Sequence, residues 1–157
     1  MRRLASSNIN TPAYWDKVYS EEIAISRERI ALDRFQRVAA MIPQNSTVLD
    51  VGCGTGDFVR HLEKYRPDCI ISACDFSKSA IDFAAKKSPS SNFKVADVLK
   101  LSETYHDKFD FVLCFETIEH VNNPQTLVNE IVKVTKSGGT IVITTPYDDL
   151  VRGAGEH

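Results

Sequence analysis

Residues 48–56 read VLDVGCGTG. An apolar run suited to a strand meets three glycines at alternate positions, Gly52, Gly54 and Gly56, and a helical pattern follows at once. Such a chain must leave a strand, turn tightly through backbone that glycine adopts most freely, and open a helix. The first N–H groups of that helix then face whatever lies at the end of the strand. This is the first turn of a βαβ unit, and it predicts strands and helices alternating around a parallel sheet.

The alternation is present. Ile23, Ile25, Ile30, Leu32, Phe35, Val38, Ala39 and Ile42 recur at mostly helical spacing, which predicts a helix over 22–41 that Pro43 ends. Strands are predicted at 46–51, 69–74, 92–96, 109–115 and 140–145. Helices are predicted at 56–65 and 77–87, the second capped by Ser77. A third is capped by Asn123, with Pro124 in its first turn and Ser137, Gly138 and Gly139 as its stop. The expected fold class is α/β: a Rossmann-like, doubly wound parallel sheet of strand order 3-2-1-4-5 in three αβα layers. Residues 1–20 read as a polar, irregular leading segment that holds Tyr14, Trp15 and Tyr19, and 21–157 as one domain.

Composition sets outer limits. A chain of 157 residues that is 43% hydrophobic and 25% charged buries a core without disulfide staples. A formal net charge of -2 argues against a surface built to coat nucleic acid. No apolar run approaches the roughly 20 residues of a membrane helix, so no membrane partner is expected. Cys53, Cys69, Cys74 and Cys114 form no CxxC pair, so no metal site is expected and a reduced, cytoplasmic setting is.

The glycine turn carries the chemistry. A dinucleotide site asks for G-x-G-x-x-G, whereas here the third glycine comes one residue early. Asp50 stands two residues before the first glycine, where a carboxylate suits a cation such as the ammonium of an amino-acid-like ligand. Asp75 lies 19 residues past Gly56, at the end of the second strand. There it can accept hydrogen bonds from a ribose diol, while Phe76 offers an apolar face to a base. Asp97 and Val98 follow the third strand, where a carboxylate can accept from an exocyclic amine and a backbone N–H can serve a ring nitrogen.

VLDVGCGTG, CDFS, ADV, FDFVLCFETIEHV and SGGTIVITTP together resemble the class I S-adenosylmethionine-dependent methyltransferases, in that family's order and spacing over roughly residues 14–147. FDFVLCFETIEHVNNP looks most like the subgroup that methylates small molecules. The resemblance implies S-adenosylmethionine as cofactor, S-adenosylhomocysteine as product and a small-molecule acceptor methylated on O, N or C. It places Asp50, Gly52, Cys53, Gly54 and Gly56 around the methionine part and Asp75 on the ribose hydroxyls. Phe76, Ser77, Asp97 and Val98 fall at the adenosine, and Phe115 and Glu116 near the ammonium and the methyl. Tyr14 and Trp15 resemble a leading segment that closes over the cofactor.

Other readings stand beside these. Tyr14 and Trp15 also fit simple packing, and Asp97 an ordinary turn. Glu119 and His120 are the catalytic candidates, His120 as a base near neutral pH, yet the same stretch suits a structural turn. His61, His106 and His157 read as surface residues. The family's fold continues past the fifth strand with strands six and seven, whereas about a dozen residues follow TIVITT here. The expectation is a C-terminally incomplete domain, or a bare edge covered by a partner, most simply a homodimer through the fifth strand. The competing functions are a non-catalytic cofactor-binding or interaction module and a nicotinamide-dependent oxidoreductase.

Overall fold

The computed structural model of the chain describes residues 11–22 and 28–146. Its five strands are β1 (Thr47–Val51), β2 (Ile70–Asp75), β3 (Asn92–Val95), β4 (Phe109–Phe115) and β5 (Thr135–Thr144). They form one sheet in the order β3-β2-β1-β4-β5, every neighbouring pair parallel. The helices are α1 (Pro12–Glu22), α2 (Glu28–Met41), α3 (Asp57–Tyr65), α4 (Lys78–Lys87), α5 (Leu101–Thr104) and α6 (Pro124–Val134).

Both faces of the sheet are covered, which explains the near-continuous apolar character of β4. Phe35 and Val38 of α2, Ile42 just past its end, and Phe58, Val59 and Leu62 of α3 pack with Val48, Ile71, Phe111 and Leu113 on one face. On the other, Leu101 and Tyr105 join Leu127, Ile131 and Val134 of α6 over Leu49, Val51, Val112 and Cys114. The three-layer α/β architecture and its strand order are those the sequence predicts.

The predicted start and stop signals behave unevenly. Ser77 accepts from the Ala80 N–H at 3.2 Å and caps α4, and Asn123 accepts from Thr126 at 3.0 Å and caps α6. The glycine pair after α6 does not stop it. The helix ends at Val134, and the Thr135 hydroxyl donates to the Ile131 carbonyl at 2.7 Å. Ser137, Gly138 and Gly139 already belong to β5, where the pairing with β4 is irregular between Phe109 and Phe111. A side chain at Gly139 would lie 3.0 Å from the Asp110 carbonyl, so this glycine allows the close passage of two strands.

One other expectation is corrected. The leading segment is not irregular throughout, since Pro12–Glu22 is helical. Its start signal is Thr11, which accepts from the Tyr14 N–H at 3.3 Å, followed by a proline in the first turn. Of the helix predicted over 22–41, the described part, Glu28–Met41, is helical as α2. Ile23 and Ile25 lie outside the described residues, as do residues 1–10 of the leading segment.

His61 is a core residue rather than a surface one. It is 8% exposed and sits between Phe35, Phe58 and Tyr65. Burial pushes its imidazole below the usual range, with Lys64 adding to the effect. His106 is exposed as expected, and His157 lies outside the described residues.

The sheet is further tied at the end remote from the glycine turn. Arg66 donates to the carbonyls of Ala39 at 3.0 Å, Ile42 at 2.5 Å and Pro43 at 2.8 Å, taking up carbonyls at the C-terminus of α2. Asp68 pairs with the same guanidinium and accepts from the Asn45 N–H.

Candidate functional site

The C-terminal ends of β1, β2 and β4 meet where the strand order reverses, the place where open α/β sheets hold ligands. Gly52, Gly54 and Gly56 have φ of 75°, 52° and 77°, all in the left-handed region. The turn has little room for side chains. A Cβ on Gly52 would lie 2.3 Å from the Thr117 hydroxyl, and one on Gly54 would lie 2.9 Å from the Tyr19 hydroxyl. The cradle is therefore lined by bare backbone, with Thr117 on one side and Tyr19 of α1 on the other.

Two carboxylates are buried here. Asp50 is 2% exposed and Asp75 5%. Asp75 accepts from the Gly54 N–H at 3.0 Å on one oxygen and from the Ser77 N–H at 2.9 Å on the other. It thus joins the end of β2 to the glycine turn. Its two oxygens carry four lone pairs between them, so the group retains capacity for a ligand diol. Burial raises both carboxyls above the usual carboxylate range. Asp50 reaches about 7, the charge of Asp75 adding to its desolvation.

A raised carboxyl binds more protons in the folded state than in the unfolded one across the window between the two pKa values. The stabilising contribution of protonated Asp50 is full below its unfolded value of 3.8 and is lost as pH rises to about 7. Over the upper part of that window, about pH 5 to 7, the Asp50→Asn chain is expected to gain stability relative to the parent. Denaturant titrations of both chains across that range test this, and parallel curves would refute it.

The region after β4 is equally constrained. Glu116 has a φ of 48°, a conformation a non-glycine residue rarely adopts. Its carboxylate accepts from Arg34 of α2 at 2.7 Å and from the Thr144 hydroxyl of β5 at 2.8 Å. The Thr117 hydroxyl donates to the Phe115 carbonyl at 2.9 Å, which keeps one lone pair free. Asp97 is exposed and accepts from the Leu99 N–H at 2.9 Å, capping a short turn in which Val98 is half-buried. Val98 and Ile118 pack against the same core cluster.

α1 lies over this region. Trp15 meets the His120 ring edge-on at 4.9 Å between centroids. Asp16 accepts from the Ser77 hydroxyl at 2.6 Å, the Ser79 N–H at 3.1 Å and the Ser79 hydroxyl at 3.0 Å. These bonds, led by Ser77, hold its carboxyl below the usual range. His120 Nε2 stands 3.8 Å from a Glu119 oxygen.

The structure thus gathers Trp15, Asp50, the three glycines, Asp75, Ser77, Phe115 and Glu116 around one strand-end region. Sequence reasoning missed Arg34, Thr117 and Tyr19 there. Only their three-dimensional neighbours mark them, since an arginine on a helix, a threonine in a turn and a tyrosine in a leading segment carry no motif. Among the described residues no cluster of His, Cys, Asp and Glu could hold a metal. A buried acid pair beside a bare-backbone turn fits a cofactor bearing a cationic amino-acid tail and a ribose.

Comparison with known proteins agrees with this geometry. A family model described as a methyltransferase domain matches residues 42–154. The chain belongs to this family, within the class I S-adenosylmethionine-dependent methyltransferases. A ubiquinone biosynthesis O-methyltransferase of Coxiella burnetii is 32% identical over 102 residues, covering 62% of this chain and 42% of that protein. The chloroplastic tocopherol O-methyltransferase of Arabidopsis thaliana is 39% identical over 105 residues, covering 62% of this chain and 29% of that protein. A solved structure of coclaurine N-methyltransferase, bound to N-methylheliamine and S-adenosylhomocysteine, superposes with a TM-score of 0.62 at 26% identity, covering 74% of this chain and 35% of that one. The chain thus spans less than half the length of these relatives.

Proposed function

We propose that this domain binds S-adenosylmethionine and transfers its methyl group to a small-molecule acceptor. The observation that carries the reading is the pair of buried carboxylates, Asp50 and Asp75, beside three left-handed glycines at the end of β1. In this reading Asp50 and the Phe115 carbonyl take the ammonium, and Asp75 the ribose hydroxyls. Phe76, Val98 and Asp97 flank the adenine, and Cys53 and Ser77 line the approach. The bound cofactor supplies an electrophilic methyl on sulfur. The domain's own work is to hold the acceptor in line with it and to exclude water. The leading segment, with Tyr14, Trp15 and Tyr19, is the lid that does the excluding. His120, steadied by Trp15 and Glu119, is the base for acceptors that must lose a proton.

Calorimetry with S-adenosylhomocysteine, NAD and ATP tests the reading. Binding of the first alone is expected, and binding of NAD alone would replace it with a nicotinamide enzyme. Affinity should rise with pH up to about 7, because burial holds Asp50 protonated below that and the ammonium needs its charge. Asp50→Asn should remove the slope. Methyl transfer to small phenols and amines, followed with the full-length protein, separates an enzyme from a binding module. Loss of the acidic limb in a His120→Asn pH–rate profile would identify the base.

The same reading extends to assembly and setting. Among the described residues β5 is an edge strand, with Ile141 37% and Ile143 36% exposed. A homodimer pairing two β5 strands covers that edge. Light scattering on the purified chain should give twice the monomer mass, and a stable monomer at high concentration would refute the pairing. All four cysteines are free thiols, which suits a reduced, cytoplasmic setting that fractionation of cells making the full-length protein can check. Among the described residues no helix is long and apolar enough to cross a membrane.

A further inference from the structure

The Phe115 carbonyl stands at the end of β4. The N–H of the next residue, Glu116, donates to the Thr144 carbonyl of β5 at 3.1 Å. The peptide bond between Phe115 and Glu116 is trans, so its carbonyl points the opposite way from that N–H, away from β5 and towards β1. β1 has no donor for it there. The pairing of β1 with β4 stops at Asp50 and Leu113, and the N–H groups of Gly52 and Cys53 both donate to the Cys74 carbonyl of β2. The Thr117 hydroxyl takes one lone pair of the Phe115 carbonyl, and the other remains for a ligand in the cradle.

That peptide is kept in place at a cost. Glu116 has a φ of 48°, where residues with a side chain seldom settle. Its carboxylate accepts from Arg34 Nη1 at 2.7 Å and from the Thr144 hydroxyl at 2.8 Å. The same guanidinium lies over the Phe115 ring, its carbon 5.5 Å from the centroid. One side chain of α2 therefore holds both residues that flank the peptide. The Arg34 Nε is buried without a hydrogen-bond partner among the described residues, so packing sets the arm and its ion pair falls on Glu116. Backbone strain persists where surrounding structure enforces it, and such sites cluster at ligand clamps.

We propose that Arg34 is a positioning residue for the cofactor's amino-acid tail: by holding Glu116 and Phe115 it fixes the peptide between them with the Phe115 carbonyl aimed at the ammonium. Arg34 itself touches neither cofactor nor acceptor. Without it Glu116 relaxes to a negative φ, the peptide turns, and the carbonyl leaves the cradle. The inference rests on the reading in which that carbonyl takes the ammonium, and it adds the element that sets its direction.

Two readouts test this, one of them without ligand. The amide proton of a residue lies closest to its own Hα where φ is positive, so the Glu116 amide–Hα NOE reports the strained backbone. It is expected to be strong in the parent chain and in Arg34→Lys, whose ammonium can serve the oxygen that Nη1 serves, and weak in Arg34→Met and Arg34→Gln. By calorimetry, Arg34→Met and Arg34→Gln are expected to weaken S-adenosylhomocysteine roughly tenfold, the scale of a hydrogen bond to a charged group. The same two variants should weaken 5′-methylthioadenosine, which lacks the amino-acid tail, by less than about twofold, and Arg34→Lys should recover most of the loss. Glycine takes a positive φ freely, so within a Glu116→Gly chain the further change Arg34→Met is expected to cost less than about twofold. Equal losses for the two ligands would make Arg34 a general support of the fold and overturn the proposal. So would unchanged or tighter S-adenosylhomocysteine binding, or a Glu116 NOE that stays strong without the arginine. If S-adenosylhomocysteine fails to bind the parent chain, the broader reading fails by itself, and the NOE still decides whether Arg34 holds the peptide.

Discussion

Replacing Asp75 with alanine is expected to weaken S-adenosylhomocysteine binding by about 1.5–3 kcal/mol, a factor of roughly 10 to 150, the scale of hydrogen bonds to a charged group. The carboxylate is 5% exposed and already accepts from Gly54 and Ser77, so it acts twice. It sets the position of the glycine turn and offers its remaining lone pairs to the ribose. Removing it loosens the turn and deletes the acceptors together. Asp75→Asn separates these roles, since the amide oxygen can still accept from one backbone N–H while the charge is gone. Calorimetry on the folded variants measures the loss. Unchanged affinity in Asp75→Ala would mean that the carboxylate serves the loop alone.

Gly52→Ala is expected to lower folding stability by about 2–5 kcal/mol, combining left-handed strain of about 1–2 kcal/mol with overpacking of about 1–3 kcal/mol. The new methyl group would lie 2.3 Å from the Thr117 hydroxyl and 2.7 Å from its Cγ2, on backbone with a φ of 75°. A domain in the middle or upper part of the typical range of about 5–15 kcal/mol survives this, with a melting temperature lower by about 4–20 °C. Thr117→Ala in the same chain should recover about 1–2 kcal/mol by clearing the overlap, leaving the backbone cost behind. Denaturant unfolding of the two single variants and the double variant measures the coupling. Strictly additive effects would mean that Thr117 does not press on the turn.

The sheet was legible because its signals are local. Each strand announced itself as a short apolar run, Ser77 and Asn123 marked two helix starts, and the strand order followed from the alternation. The acid–glycine turn was legible for the same reason, since Asp50 to Gly56 are adjacent in the chain. What was not legible depends on partners far away in sequence. Arg34 meets Glu116 across 82 residues, and Asp16 meets Ser79 across 63. His61 sits in an amphipathic helix at a position that burial by Phe35 decides, and nothing in its immediate neighbours foretells that packing. The stop after α6 was misplaced for a related reason. Glycine pairs end helices often, but here tertiary pairing with β4 claims Gly139 for close strand passage.

The bonds between Asp16 and α4 have a consequence for how α1 can be observed. The Ser79 amide is one of the orphan donors at the start of a helix, and its acceptor is a side chain borrowed from another element. Whenever α1 lifts away, that N–H loses its acceptor while the helix behind it stays intact. Its solvent exchange rate therefore counts departures of α1 without a label, a probe or any change to the sequence. The Ala80 amide next to it is held by Ser77 within the same helix start and supplies the internal clock against which that count is read.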